Sequence, residues 1–172
     1  MADGVFGVEV VTPEHPLVAG GATAVILQSS DGELTVLDGH TALVSDVAVC
    51  EVRIEQPEGE VLHLAVHGGF MEVDTSAGAA QGFAEGDGPL PGLSTKVTIL
   101  AGVAELSTDI DVTRSRAAKE AAEQRLGELR SSRGNASDVG DAADLADLPL
   151  IEAERALARA ELRLAVAAGA TE

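Results

Sequence analysis

Three arginines near the end of the chain, Arg155, Arg159 and Arg163, recur every four residues. Residues four apart stack along one side of a helix. A helix over residues 151–168 therefore presents a row of guanidinium groups, and such groups grip anions by charge-assisted, forked hydrogen bonds. Some forty residues upstream, Asp111 and Arg114 open a second helical stretch. A hairpin of the two helices could close these groups around an anion. A plainer arrangement uses the same residues. Glu152, Glu154 and Glu161 share the arginine helix, so the row can be a solvated, ion-paired face. Asp111 can simply complement the positive end of the helix dipole.

The remaining reactive side chains offer less. His63 and His67 are four apart, a spacing that suits one metal ion on a helix, but they fall on a strand pattern that separates them by about 13 Å. One tetrahedral metal ion cannot take both, and no metal site is expected. Gly68-Gly69 is not followed by Gly-Lys-Ser/Thr and reads as a bulge or turn rather than a phosphate loop. His40 lacks a companion nucleophile motif and suits loop packing or an interface. The single cysteine, Cys50, lies in an apolar run and reads as a small core residue. No catalytic constellation emerges, so an enzyme is the weakest reading.

The elements that position these groups fall into two rhythms. Up to about residue 101, short runs alternate with period two, as in Val8-Glu9-Val10, Val52-Arg53-Ile54-Glu55 and Leu62 to His67, each predicting one buried and one wetter face. Gly20-Gly21, Asp31-Gly32, Asp38-Gly39 and Pro57-Glu58-Gly59 punctuate them. Many short strands with regular turns predict an antiparallel sandwich or barrel. From Thr108 the period becomes helical. Thr108 and Asp111 resemble a capping box, and Ala118, Ala122, Leu126 and Leu129 step along one face. Gly134 and Asn135 stop this helix, residues 138–147 form a small acidic loop, and Pro149 starts the next helix. There Leu150, Leu157 and Leu164, and Ala153, Ala160 and Ala167, recur one heptad apart and suit an antiparallel partner. The glycine-rich stretch 76–92 reads as an extended or disordered loop. The fold expected is α+β: an antiparallel β-sandwich, residues 1–104, then an antiparallel two-helix hairpin, residues 105–172.

Composition narrows the partners. The 172 residues hold 29 acids against 11 lysines and arginines, a net charge of -18. Nucleic acid and anionic lipid surfaces repel such a chain. One cysteine permits no internal disulfide, which suits a reducing compartment. No signal peptide and no membrane span is apparent, so membrane association is expected only through a partner.

Taken in order, Gly32-Glu33-Leu34, Asp38-Gly39-His40 with Ala42-Leu43, Gly68 to Val73, Lys96 to Ala101, Asp109-Ile110-Asp111 through Ala117 and the arginine-bearing helix resemble the epsilon subunit of bacterial rotary ATP synthases. The resemblance runs over nearly the whole chain. It implies a non-catalytic central-stalk subunit of a proton-translocating enzyme, peripheral on the cytoplasmic side of the cell membrane. It implies gamma and the membrane c-ring as partners, with Glu33 and His40 on loops facing them. It further implies that the hairpin extends toward the alpha and beta subunits and hinders ATP hydrolysis. Some members hold ATP in the folded hairpin. Here the matching positions are Ile110, Asp111 and Arg114, then Ser115 where alanine is usual, with Glu105, Arg159 and Arg163 at other nucleotide-contacting positions. No cofactor is required, and any ATP bound is weak and regulatory. Asp38 replaces a common proline, and residues 76–92 replace a tight turn. A free-standing adaptor gripping other helices with the hairpin is the competing reading.

Overall fold

The computed structural model describes residues 4–75, 95–133 and 148–169. The glycine-rich stretch 76–92, the helix stop at Gly134 and Asn135 and the acidic loop 138–147 lie outside them. The chain divides into two compact units, Met1–Asp109 and Ile110–Glu172. The expected division after residue 104 falls inside a strand.

The first unit is built of β1 (Phe6–Val11), β2 (Pro16–Ala22), β3 (Ala24–Ser29), β4 (Gly32–Val36), β5 (Leu43–Glu55), β6 (Val61–Asp74), β7 (Lys96–Ala101) and β8 (Ala104–Leu106). The sheet order is β2-β1-β7-β6-β5-β3-β4, with β8 added to β6. Most pairs are antiparallel, as the turn chemistry predicts, but β1 and β7 run parallel. The strands close on a core of valine, leucine and isoleucine with Phe6 and Met71. The alternation expected in β1 is absent, because Phe6 to Val10 are all buried. Glu9, at 4% exposure, is tolerated there because Lys96 Nζ lies 2.9 Å from its carboxylate. A buried charge needs such a partner.

The two glycines expected at a bulge or turn sit within the long strand β6. Gly68 takes a φ of +92°, which only glycine adopts cheaply. There β6 changes neighbour, from β7 beyond the glycines to β8 before them, without slipping register against β5. Gly69 is required for a different reason: a Cβ would stand 2.2 Å from the Leu100 carbonyl oxygen. β8 follows and hands the chain to a 3-10 turn, Ser107–Asp109.

The second unit holds α1 (Val112–Arg133) and α2 (Leu148–Gly169). Lys119 reaches Glu161 at 3.0 Å and Arg130 reaches Glu154 at 3.4 Å, which sets the helices antiparallel. The seam differs in detail from its prediction. On α1 it runs through Ser115, Ala122 and Leu126, and Ala118 is exposed. On α2 it runs through Ala153, Ala160 and Val166, with Ala167 half-buried. Pro149 stands in the first turn of α2, where its missing N–H costs nothing.

Candidate functional site

The start of α1 shows what Asp111 does. The Ser115 N–H donates to the Asp111 carbonyl at 2.9 Å, the first bond of the helix. The Arg114 N–H donates to Asp111 Oδ1 at 2.9 Å. Asp111 is therefore the N-cap residue itself. The capping box expected between Thr108 and Asp111 does not form. Thr108 lies in the 3-10 turn and bonds Asp109 instead. Ile110, just before the cap, is buried.

The arginine row separates along the hairpin. From the Lys119–Glu161 contact, Arg163 stands level with Ala117, about 9 Å of helical rise from Asp111, and Arg159 level with Ala121, about 15 Å away, at about 1.5 Å per residue. Side chains lean toward the N-terminus of their own helix, which on α2 points away from Asp111. The described hairpin thus brings Asp111 and Arg114 together but leaves Arg159 and Arg163 at other levels. Glu105 belongs to the other unit, on β8, with its carboxylate 3.6 Å from His67 Nε2.

The ion-paired face predicted for α2 is only half formed. Glu154 and Glu161 reach across to α1. Arg155 and Arg159 are exposed and make no ion pair among the described residues. They line a groove of about 510 Å³ with Arg125, Glu152, Pro149, Ala153 and Ala156. Arg125 was not legible as a site residue, since it comes from the other helix and only the register brings it level with Arg155 and Arg159.

On the sandwich, Phe70 and Leu100 are cross-strand partners at 63% and 54% exposure. Val44, at 71%, lies two residues from Asp46, the β5 partner of Phe70, so the three share one face. Three adjacent exposed apolar side chains form a patch rather than scattered surface residues. Asp46 also accepts from Ser30, with N–H···Oδ2 at 3.0 Å and O–H···Oδ1 at 2.9 Å, which ties the β3–β4 turn to this patch. Glu33, expected on a loop, is exposed on β4 immediately after that turn. His40 does lie in a loop, half-buried, with Nδ1 2.8 Å from the Thr41 carbonyl.

The two strand histidines each meet a carboxylate of their own. His63 Nδ1 is 2.7 Å from Glu51 Oε1, and His67 has Glu105. Burial pushes the Cys50 thiol above its ordinary pKa, opposed by a hydrogen bond with the Gln28 backbone, so it is a poor nucleophile at neutral pH.

Residues 5–77 match the model of the beta-sandwich domain of the ATP synthase delta/epsilon chain. An ATP synthase epsilon chain of Brevibacillus brevis is 42% identical over 121 residues, covering 70% of this chain and 77% of the relative. One from Desulforapulum autotrophicum is 36% identical over 166 residues, 96% of this chain and 97% of the relative. The chain belongs to the ATP synthase epsilon family. It is a subunit of the enzyme's central stalk, and the second match carries that assignment through the hairpin as well as the sandwich. Among solved structures, a chain of the Euglena gracilis mitochondrial ATP synthase superposes with a TM-score of 0.62 at 20% identity, over 93% of this chain and 79% of that one. That likeness shows the fold alone. Among the described residues no helix is long and apolar enough to cross a membrane.

Proposed function

We propose that the sandwich docks on the gamma subunit through the Val44–Phe70–Leu100 patch, with the Glu33 turn and the His40 loop at its margin toward the membrane ring. The exposed apolar patch carries this reading: a large aromatic side chain left in water on a rigid sheet suits a buried anchor in a complex. The Asp46 clamp supports it, because it holds the Glu33 turn beside the patch. The subunit itself is non-catalytic. It couples gamma and the ring to the catalytic head, and it meets the membrane on the cytoplasmic side only through these partners.

The hairpin regulates hydrolysis by extending toward the alpha and beta subunits, and weak ATP binding favours its folded state. Ile110, Asp111, Arg114, Arg159 and Arg163 form the nucleotide set on this unit, with the arginines on the phosphates. Its members stand apart in the described conformation and Asp111 Oδ1 already caps α1. Binding must draw them together, so its constant is expected on the order of a millimolar. ATP opposes inhibition by its differential affinity for the folded state.

Capture of gamma and the ring from solubilised membranes tests the docking surface. Phe70→Asp should weaken gamma association by about tenfold or more, as expected of an interface anchor. Glu33→Arg and His40→Glu should weaken it less, with the sandwich still folded. Undiminished capture by all three variants would exclude this face.

A further inference from the structure

Resting on the reading above that the His40 loop faces the membrane ring, we propose that Thr95 is the positioning residue of that loop. Its buried hydroxyl holds Gly39 and so fixes the face that the loop offers to the ring.

Residues 37–42 join β4 to β5, and their own packing does little to hold them. Leu37 is 53% exposed, Asp38, Gly39, Thr41 and Ala42 are exposed as well, and His40 is only half-buried. The internal bonds of the loop are local. The His40 N–H donates to the Leu37 carbonyl at 3.1 Å and closes a turn, whose third residue, Gly39, takes a φ of +76°. His40 Nδ1 meets the carbonyl of its neighbour, Thr41. Such bonds fix the shape of the turn but not its place on the sandwich. That place is set by the Gly39 N–H, which donates to Thr95 Oγ1 at 3.3 Å, 56 residues away in sequence.

Thr95 stands just before β7 and is 1% exposed. Its carbonyl accepts from the Gly7 N–H of β1 at 3.0 Å. Thr95 therefore ties the loop to the β1–β7 ladder, in the interior of the sheet order rather than at an edge. A hydroxyl buried so deeply needs a partner, and the Gly39 amide supplies it. Gly39 itself is exposed, so water can take over its amide when the hydroxyl is removed. Losing the hydroxyl then costs the fold little and costs the loop its place. A loop already held in its docking position need not be ordered when the ring binds, and that saving appears as affinity.

The test uses the full chain to capture purified gamma alone and the gamma–ring assembly from solubilised membranes. Thr95→Val keeps the branched shape and deletes the hydroxyl. It is expected to weaken capture of the assembly about three- to tenfold, the scale of one hydrogen bond, and to leave capture of gamma alone within about twofold. Amide exchange at Gly39 and His40 should accelerate while that of β1 and β7 stays unchanged. Thr95→Ser, which retains the hydroxyl, should restore capture to the parent level. Equal losses toward gamma alone and toward the assembly overturn the proposal, because they mark a damaged sandwich rather than a misplaced loop. It is overturned too if Thr95→Ser is as weak as Thr95→Val, or if Thr95→Val captures the assembly like the parent while His40→Glu does not. If His40→Glu captures the assembly like the parent, the ring-facing reading of the loop fails by itself, and exchange at Gly39 alone decides whether Thr95 places the loop.

Discussion

The sandwich closes on large side chains, with Phe6, Leu27, Ile54, Leu64, Met71 and Ile99 almost completely shielded from water. The hairpin closes on Ala122, Leu126, Ala153, Ala160 and Val166, with the hydroxyl residue Ser115 in the same seam. Buried apolar area sets stabilisation at roughly 25 cal/mol per Å², and alanines supply little of it. The cross-helix ion pairs, Lys119–Glu161 and Arg130–Glu154, are exposed and add little more. The contrast is between a unit closed on large side chains and one held by a seam of small ones. The hairpin extension proposed above would draw on the second, because low local stability is where such motion resides.

The comparison can be broken most severely at glycine. Gly69→Ala in β6 forces a Cβ into the Leu100 carbonyl, with backbone on both sides of the clash. We expect a loss of about 3 kcal/mol or more in urea unfolding of the sandwich. A near-neutral result would mean that the β6–β7 pairing is looser than the register implies.

Next in size is Leu126→Ala, which removes the largest buried side chain in the α1 seam. It should cost about 2 to 3 kcal/mol, all of it in the hairpin. Amide exchange of α1 and α2 should accelerate while that of β5 and β6 stays unchanged. Equal acceleration in both units would show one cooperative structure instead of two.

Much of this contrast was legible in the residues, because period two and period 3.6 are local signals and the change between them near Thr108 is abrupt. The unit boundary was not. Ala104-Glu105-Leu106 is too short to read as a strand by itself, and only pairing with Leu64, Ala65 and Val66 makes it one. The alternation Val8-Glu9-Val10 turns Glu9 toward water, because the Lys96 partner that permits its burial is far away in sequence. Thr108 and Asp111 both suit a cap by residue type, and only backbone geometry makes Asp111 the N-cap residue. The arginines had the right period, yet neither their unequal surroundings nor the part of Arg125 could be seen without the antiparallel register.

The boundary gives a third prediction. A fragment of residues 1–109 should unfold cooperatively by itself. Residues 1–104 lack Glu105 and the partly buried Leu106, with their pairing to β6, and should be about 1 to 2 kcal/mol less stable in the same titration. Equal midpoints would return the boundary to residue 104.

The smallest expected effect has the opposite sign. Gly127 lies inside α1 with open space where a Cβ would be. Gly127→Ala should stabilise the hairpin by about 0.5 to 1 kcal/mol, by removing backbone freedom from the unfolded chain. A gain in hairpin amide protection would report it, and a loss would mean that the glycine serves a contact outside the described hairpin.

The parallel pairing of β1 with β7 bears on how the protein is made. Among the described strands Phe6–Val11 is synthesised before the others, but the strand that completes its ladder, Lys96–Ala101, emerges after nearly all the rest of the sandwich. Until then the β1–β2 hairpin carries an unfinished edge of apolar residues, open to pairing with the wrong chain. Contacts so distant in sequence close slowly, on the millisecond-to-second scale of other non-local sheets. Newly synthesised copies therefore pass through an interval in which their first strand is complete and its neighbour does not yet exist.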